Sequence, residues 1–329
     1  MARSVVLCYA PPSARAQPSS KAQRLAIVHP TLSVSLLTET AGNLYHKAFF
    51  AELRRLGYVE GSNLHIVRHS GEGLPAEGLG DLARSVVRQA PDVILTVAHF
   101  MAGPLKDATA TIPIVAVVNE PVAAGLAASL SHPGGNITGV AVDAGMEVWE
   151  KRFELLREIV PTVSNAAFLV TQTAWEHSYG RAVRQAAQRV SIPLTLAAFE
   201  SRGQEPEYRR AFAALREKAI DALVVTEGPS ALAQRQLIVQ LAQELRLPTM
   251  YPYGDFTAVG GLMSYTPDLA NLWRHTAGQV DQILKGAKAG DIPFAQATRF
   301  ELIINLKTAK ALGLAVPASL LARADEVIE

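Results

Sequence analysis

Short runs of consecutive apolar residues alternate along the first half of the chain with segments whose apolar residues recur every three or four positions. The runs predict β-strands at residues 25–29, 63–68, 92–97, 112–118 and 137–142, and the three-to-four spacing predicts amphipathic helices between them. Strands and helices in alternation favour a parallel sheet with helices on both faces. Strands that are apolar at consecutive positions are typical of such a sheet, because both of their faces are buried.

The same alternation starts again in the second half of the chain. Helices are predicted at residues 147–160, 179–190, 206–219 and 231–245, and strands at 166–171, 193–198, 221–226 and 248–251. A short strand at 261–265 and a long helix at 268–286 follow. No linker rich in proline, serine or glycine separates the halves. The pattern therefore predicts an α/β fold of two doubly wound parallel-sheet lobes that can hinge around a cleft.

The composition narrows the classes of function. The chain has 329 residues and a net charge of +1, with acids and bases interleaved; this argues against a nucleic-acid partner, because such proteins present a basic face. Cys8 is the one cysteine, so no disulfide within the chain and no cysteine metal site is expected. No phosphate-binding loop and no paired nucleophile and base are present. We predict no enzymatic activity, no cofactor and no metal.

The first 23 residues have the order of a secretory leader. Arg3 is followed by an apolar run at residues 5–10 and by the small-residue pattern Ala14-Arg15-Ala16. A working signal has an apolar stretch of about 7–15 residues, whereas this run is shorter. The segment is predicted to be either a truncated signal or a disordered leader.

Hydrogen-bonding or aromatic side chains follow nearly every predicted strand. In open parallel sheets, ligands bind beyond the carboxyl ends of the strands, so these positions predict a small-molecule site. Its candidate residues are His29, Ala98, His99, Phe100, Asn119 and Glu120 in the first half of the chain, Thr171, Gln172, Trp175, Thr226 and Glu227 in the second half, and Tyr253, Asp255 and Tyr265 further along.

Three features indicate which groups a ligand would carry. A helix is predicted to begin near Ala102, and residues 98–103 at its start can receive a carboxylate on their free N–H groups; an ordinary strand-to-helix turn is the alternative. Glu120 can accept an ammonium or a hydroxyl group, or it caps a helix that begins at Pro121. Aromatic rings near the strand ends either face an apolar ligand or pack in the core: Phe100, Trp175, Tyr251, Tyr253 and Tyr265.

Three segments resemble a known family: PVAAGLAASLSHPGGNITGV, GGLMSYTPDLANLWRHTAGQVDQILKGAKAGDIP and RFELIINLKTAKALGLAVPASLLARADEVIE. From about residue 24 to its end, the chain is similar to the ABC-transporter substrate-binding proteins of the type I periplasmic binding fold, in the subgroup that includes aromatic-amino-acid-binding members. The resemblance implies two lobes joined by three crossings, with an amino acid or an aromatic or other organic acid held between them. It also implies a periplasmic location and delivery of the ligand to a membrane permease and its ATPase; we expect a monomer.

The resemblance also suggests where the lobes begin and end. Lobe 1 is expected to comprise residues 24–138 and about 256–292, and lobe 2 residues 139–255 and about 293–329. The glycine-rich turn at residues 133–136 is then expected to carry the next strand out of the first lobe and into the second.

Several pocket positions depart from the family pattern. Glu120-Pro121 stands where the family usually has Asp-Pro, and Ala98-His99-Phe100 where it has a small-residue tip. Asp255 stands where a glutamate is usual. The identity of the ligand is therefore not implied by the resemblance.

Two other classes of function fit a two-lobed chain. A ligand-sensing partner of a membrane signalling protein would use the same cleft and would need no change in sequence. A two-lobed enzyme would need acid–base or phosphate-binding groups, which the sequence does not show.

Overall fold

Two separate β-sheets form the frame of the molecule. The structure is a computed structural model that describes residues 22–41, 44–142, 146–200 and 203–329. Residues 1–21 of the predicted leader therefore lie outside the described residues. The strands are β1 (Gln23–His29), β2 (Leu64–Ser70), β3 (Val93–Val97), β4 (Ile114–Val118), β5 (Ile137–Ala141), β6 (Ala166–Thr171), β7 (Leu194–Phe199), β8 (Ala222–Val225), β9 (Thr249–Tyr251), β10 (Met263–Pro267), β11 (Ala295–Gln296), β12 (Phe300–Asn305) and β13 (Glu326–Ile328).

Helices alternate with these strands. They are α1 (Leu44–Arg55), α2 (Ala76–Arg88), α3 (His99–Ala108), α4 (Met146–Ile159), α5 (Gln172–Glu176), α6 (Ser178–Arg189), α7 (Glu205–Leu215), α8 (Pro229–Ala233), α9 (Arg235–Glu244), α10 (Gly254–Ala258), α11 (Leu269–Leu284), α12 (Leu306–Leu312) and α13 (Ala318–Leu321), with short 3₁₀ turns at Val34–Leu36 and Ala289–Asp291.

The strand order of each sheet is that of a doubly wound fold. The first sheet runs β11-β5-β4-β3-β1-β2, and the second runs β13-β12-β10-β9-β8-β6-β7. Neighbouring strands are parallel throughout the described sheets, except that β10 and β12 are antiparallel. The chain passes between the sheets three times, from β5 to α4, from β10 to α11 and from β11 to β12. The predicted fold class is confirmed.

Helices cover both faces of each sheet. On the first sheet, α1 and α11 pack on one face through Phe49 and Trp273, and α2 and α3 pack on the other through Leu79 and Met101. On the second sheet, α4 and α6 cover one face and α7 and α9 cover the other. The strands are therefore buried on both sides, as their continuous apolar sequences predict.

Three segments lie in a different lobe from the one expected. Ile137–Ala141 pairs with β4 in the first sheet, Met263–Pro267 lies in the second sheet, and Ala295–Gln296 returns to the first. The turn at residues 133–136 is thus not a crossing. It stays within the first lobe, where the Gly134 N–H donates to the Gly290 carbonyl at 3.1 Å. An apolar strand can pair within either sheet, so its sequence does not say which sheet it joins.

Two predicted helices also differ from the structure. Residues 121–125 form consecutive turns, in which the Leu126 N–H donates to the Pro121 carbonyl at 2.9 Å, so no helix begins at Pro121 for Glu120 to cap. The helix predicted at 231–245 is divided into α8 and α9 at Gln234, whose backbone leaves the helical region.

Two histidines are buried inside the first lobe. His29 ends β1 and His46 lies on α1, with 6.2 Å between their ring centroids. Burial, with a smaller contribution from His46, lowers the pKa of His29 to about 3, and burial lowers the pKa of His46 to about 4. His29 Nδ1 accepts the backbone N–H groups of Thr31 and Leu32, at 3.2 and 3.0 Å. His29 therefore folds as a neutral ring with its proton on Nε2.

The first prediction concerns Gly139, whose φ is 154° and which lies opposite Ala116 in the pairing of β4 with β5. A Cβ at this position would lie 1.9 Å from the Ala116 carbonyl oxygen. We expect Gly139→Ala to lower the free energy of unfolding by at least about 3 kcal/mol, measured by urea denaturation. Gly278→Ala is the control, because a Cβ at this position on α11 meets nothing within 4 Å. Equal stability of the two variants would contradict the pairing.

The second prediction concerns acid stability. Below pH 6.5 the unfolded chain protonates His29 and His46 while the folded chain does not. The free energy of unfolding should therefore fall as the pH drops from 6.5 towards 4, by about 1.4 kcal/mol per pH unit for each histidine. His29→Asn, which keeps a side-chain acceptor, should show a shallower loss in urea denaturation between pH 7 and 4.5. Exposed His132→Asn is the control, and an unchanged acid slope in His29→Asn would contradict the assignment.

Candidate ligand-binding cavity between the two lobes

The carboxyl ends of both sheets open onto one cavity. Its volume is about 530 Å³, within the roughly 300–1,000 Å³ range typical of small-molecule sites. Segments after β1, β3 and β4 line it from the first lobe, and segments after β6, β8 and β9 line it from the second. Leu232 and Leu269 close one side, since each packs against the cores of both lobes. The cavity is therefore shared between the lobes.

Most of the residues predicted from the strand ends line this cavity. They are His29, Ala98, His99, Phe100, Asn119, Glu120, Thr171, Thr226, Glu227 and Tyr253. The structure thus brings together side chains that lie up to 224 positions apart in the sequence (29 to 253), as the carboxyl-end rule for parallel strands predicts.

Two aromatic candidates for the site lie outside the cavity lining, as does Tyr251, which stacks on Phe256 in the second-lobe core with 4.9 Å between ring centroids. Trp175 stacks under the Arg184 guanidinium at 4.3 Å and packs against the second-lobe core. Tyr265 stacks on Phe300 with 5.4 Å between ring centroids. Both rings pack within the second lobe, which was the alternative stated for rings near strand ends.

Two predicted polar residues also lie outside the lining. The Gln172 side chain donates to the Glu176 carboxylate on the surface of α5. Asp255 lies in the first turn of α10, where burial raises the pKa of its carboxyl group and the charge of Arg235 partly offsets that effect. Both residues follow strands that end at the cavity, but their side chains belong to the short helices α5 and α10 and do not line the cavity.

The start of α3 presents backbone donors to the cavity. Ala98 precedes the helix with a φ of 67°, and it has no side chain that can cap the helix. The N–H groups of His99 and Phe100 belong to the first turn, which has no internal acceptors for them. Burial lowers the pKa of His99, which favours its neutral form. This helix start can receive a carboxylate, as the sequence predicts.

A buried ion pair lies in the wall of the second lobe. Arg152 on α4 donates from Nη1 to Glu227 Oε1 at 2.6 Å, and the two side chains are only 1% and 4% exposed. Sequence reasoning missed Arg152, because Arg152 lies in the middle of a helix and not in a segment that directly follows a strand. The available signal was a charged residue on the apolar face of α4. Trp149 and Phe153, four positions apart, lie on that face, and Arg152 follows Trp149 by three positions.

Two tyrosines flank this ion pair. Burial and the charge of Glu227 raise the pKa values of Tyr179 and Tyr253 above their ordinary range. Both phenols are thus protonated at neutral pH. The Tyr179 hydroxyl lies 3.2 Å from Thr226 Oγ1. Tyr179 was not predicted; it follows β6 by eight residues, too far for the strand-end argument to include it.

A hydrogen bond between Asn119 and Glu227 crosses the cavity from lobe to lobe. Asn119 Nδ2, after β4 in the first lobe, donates to Glu227 Oε2, after β8 in the second, at 3.3 Å. Glu227 is therefore held from both sides, by Arg152 within its own lobe and by Asn119 from the opposite one.

Aromatic rings form the first-lobe wall. Tyr45 and Trp273 line the cavity with 5.7 Å between their ring centroids, and the His46 ring packs on Trp273 at 4.7 Å. Neither Tyr45 nor Trp273 was predicted, because they lie on helices α1 and α11 instead of at strand ends. The second lobe adds Phe199 and Tyr253.

The two acidic side chains that line the cavity differ in their surroundings, because Glu227 is paired with Arg152 behind the lining. Glu120 and Glu227 contribute carboxylates, whereas no lysine or arginine side chain lines the cavity within the described ranges.

The described residues also contain no cluster of histidine, cysteine, aspartate or glutamate placed to hold a metal ion. No helix in the described part of the chain is long and apolar enough to cross a membrane.

Comparison with known proteins gives consistent matches over nearly the whole chain. A tyrosine-binding protein of Clostridioides difficile is 25% identical over 278 residues, which cover 82% of this chain and 76% of that protein. The crystal structure of a conserved domain protein from Vibrio cholerae has a TM-score of 0.83 at 26% identity, covering 93% of this chain and 100% of that one. An ABC domain from Streptococcus pneumoniae, solved in complex with L-Trp, has a TM-score of 0.83 at 24% identity, covering 94% and 100%.

The family resemblance seen in the sequence is confirmed by these matches. The relatives include one named for tyrosine and one solved with tryptophan, in keeping with the predicted subgroup. The family model described as ABC transporter substrate binding protein matches residues 35–328. Since this match spans most of the chain, the protein belongs to the ABC transporter substrate binding protein family.

Proposed function

We propose that this protein is the receptor of an ABC importer and that it closes its two lobes around one aromatic amino acid. The observation that carries the proposal is the composition of the shared cavity, in which aromatic rings accompany two carboxylates and no lining lysine or arginine among the described residues. The tyrosine-binding and tryptophan-bound relatives support the same class of ligand.

The aromatic walls favour a ring-bearing side chain. Tyr45 and Trp273 offer stacked or tilted faces from the first lobe, and Phe199 and Tyr253 lie across from them in the second. Aromatic pairs contribute about 0.5–1.5 kcal/mol beyond the burial of their area. A flat aromatic side chain bound between these walls would gain both the burial of its apolar area and this additional contribution from aromatic pairing.

The carboxylates favour an amino acid over an organic acid. An ammonium group can bind the carboxylates of Glu120 and Glu227, while a ligand carboxylate can bind the N–H groups of His99 and Phe100 at the start of α3. A purely anionic ligand would meet like charges without a lining cation. We therefore propose a zwitterion as the ligand, with its two charges directed to different strand ends.

Closure follows from the division of these contacts between the lobes. His99 and Glu120 belong to the first lobe, and Glu227 and Tyr253 to the second. A ligand that contacts both groups binds the closed arrangement more tightly and shifts the population towards it. We propose that the closed, ligand-bound monomer is the form that a membrane permease recognises in the periplasm, and that an ATPase coupled to the permease drives import.

The third prediction is a ligand preference. L-tryptophan, L-tyrosine or L-phenylalanine should bind at least about tenfold more tightly than the corresponding amine without its carboxylate or acid without its ammonium, because each charged hydrogen bond contributes about 1.5–3 kcal/mol. Isothermal titration calorimetry with the amino acids, tryptamine and indole-3-propionate measures this preference. D-allose serves as a control. Binding of indole-3-propionate equal to that of L-tryptophan would contradict the zwitterion proposal.

The fourth prediction tests the position of the site. Ala123 is exposed at the cavity lining, so Ala123→Trp should occupy part of the cavity and weaken amino-acid binding by at least about tenfold. Ala128→Trp is a matched control on the same connection, since Ala128 is equally exposed but lies outside the lining. Unchanged affinity in Ala123→Trp would place the ligand elsewhere.

A further inference from the structure

Arg152 is a charged side chain in a fully buried position. Its guanidinium stacks over the Trp149 ring at 4.6 Å, and its partner Glu227 is almost equally buried. A buried ion pair is weak evidence for stability, because the desolvation of both charges offsets most of their attraction. The pair therefore calls for a role other than stabilising the second lobe.

The donors of Arg152 bind acceptors after two neighbouring strands and within a third. Nη1 binds Glu227 after β8, Nη2 donates to the Pro252 carbonyl after β9 at 3.4 Å, and Nε donates to the Tyr265 carbonyl of β10 at 3.0 Å. A planar guanidinium can hold several acceptors in fixed directions, whereas an ammonium cannot. The Glu227 carboxylate thus has a defined position relative to β8, β9 and β10.

The two oxygens of Glu227 face opposite ways. Oε1 binds Arg152 inside the second lobe, and Oε2 accepts the Asn119 amide from the first lobe. A carboxylate oxygen has two lone pairs, so Oε2 can accept the Asn119 amide and a second donor in the cavity together. One carboxylate then contacts the second lobe's own framework through Oε1, and the opposite lobe and the ligand through Oε2.

We propose that Arg152 is a positioning residue for ligand binding, which holds Glu227 so that Oε2 receives the ammonium of the ligand and the amide of Asn119 together. The inference rests on the proposed function, because it assumes a ligand with an ammonium group. It makes Glu227 the carboxylate that couples recognition of the amine to the approach of the lobes. Glu120 supplies the negative charge that balances the ammonium, since the charge of Glu227 is already compensated by Arg152.

The experiment compares the affinities of L-tryptophan and indole-3-propionate, which differ in the ammonium group. Arg152→Lys keeps the charge but loses the planar fork, and should lower the preference for L-tryptophan by about fivefold or more. Glu227→Gln removes the acceptor charge and leaves Arg152 uncompensated, and should lower the preference at least as far as Arg152→Lys does. Arg184→Lys is the control, because Arg184 also stacks on a tryptophan and donates to a backbone carbonyl at 2.6 Å but lies outside the cavity lining.

The ratio of the two affinities separates positioning from a merely structural role. A structural role would lower the melting temperature of Arg152→Lys while both ligands lose affinity equally. If Arg152→Lys and Glu227→Gln keep the wild-type ratio, the inference is overturned while the proposed function stands. If wild-type protein binds none of the aromatic amino acids, the proposed function fails. The hydrogen-bonded link between the lobes is then tested by a measurement on the ligand-free protein.

A ligand-free measurement supplies that judgement. Asn119→Ala removes the amide that reaches Glu227 from the first lobe, and its partly exposed position makes the change tolerable for folding. Small-angle X-ray scattering should give a larger radius of gyration for Asn119→Ala and for Arg152→Lys than for the wild type, both without ligand. Identical radii for the three proteins would overturn the proposed link between the lobes.

Discussion

Parallel strand pairing is the constraint on which the rest of this structure depends. Because neighbouring strands run in the same direction, their carboxyl ends meet at one edge of each sheet, and residues remote in sequence become neighbours there. Two such edges facing each other create a cavity that neither lobe could form alone. Three crossings connect the two lobes, and the closure proposed above would be a hinge motion at these crossings.

A charged side chain buried in the cavity wall needs a partner of opposite charge, and in the second lobe Arg152 is that partner for Glu227. Glu227 would be costly to bury alone, but Arg152 neutralises it and two protonated tyrosines surround it. In the first lobe, burial keeps His29 neutral at physiological pH. The cavity therefore offers hydrogen-bonding groups in fixed positions with little net charge from the protein apart from Glu120, a setting in which a zwitterion can find a partner for each of its charges.

The sequence predicted the architecture well because its signals are local. Apolar runs and helical spacing identified the strands, and the strand-end rule placed ten candidates on the cavity, among them Asn119 and Thr226. What it could not predict depends on tertiary packing. The apolar strand at 137–141 could pair within either sheet, and Trp273 reaches the cavity from a helix that enters the first lobe late in the chain. Arg152 became interpretable only when its partner Glu227, 75 positions away, was seen beside it.

The most direct test of the account is a crystal structure grown with whichever of L-tryptophan, L-tyrosine and L-phenylalanine binds most tightly. The account predicts the amino acid between the lobes, with its ammonium within about 3.2 Å of Glu227 Oε2 and its ring against Tyr45 or Trp273. An amino acid bound outside this cavity, or one whose ammonium faces away from both Glu120 and Glu227, would contradict it.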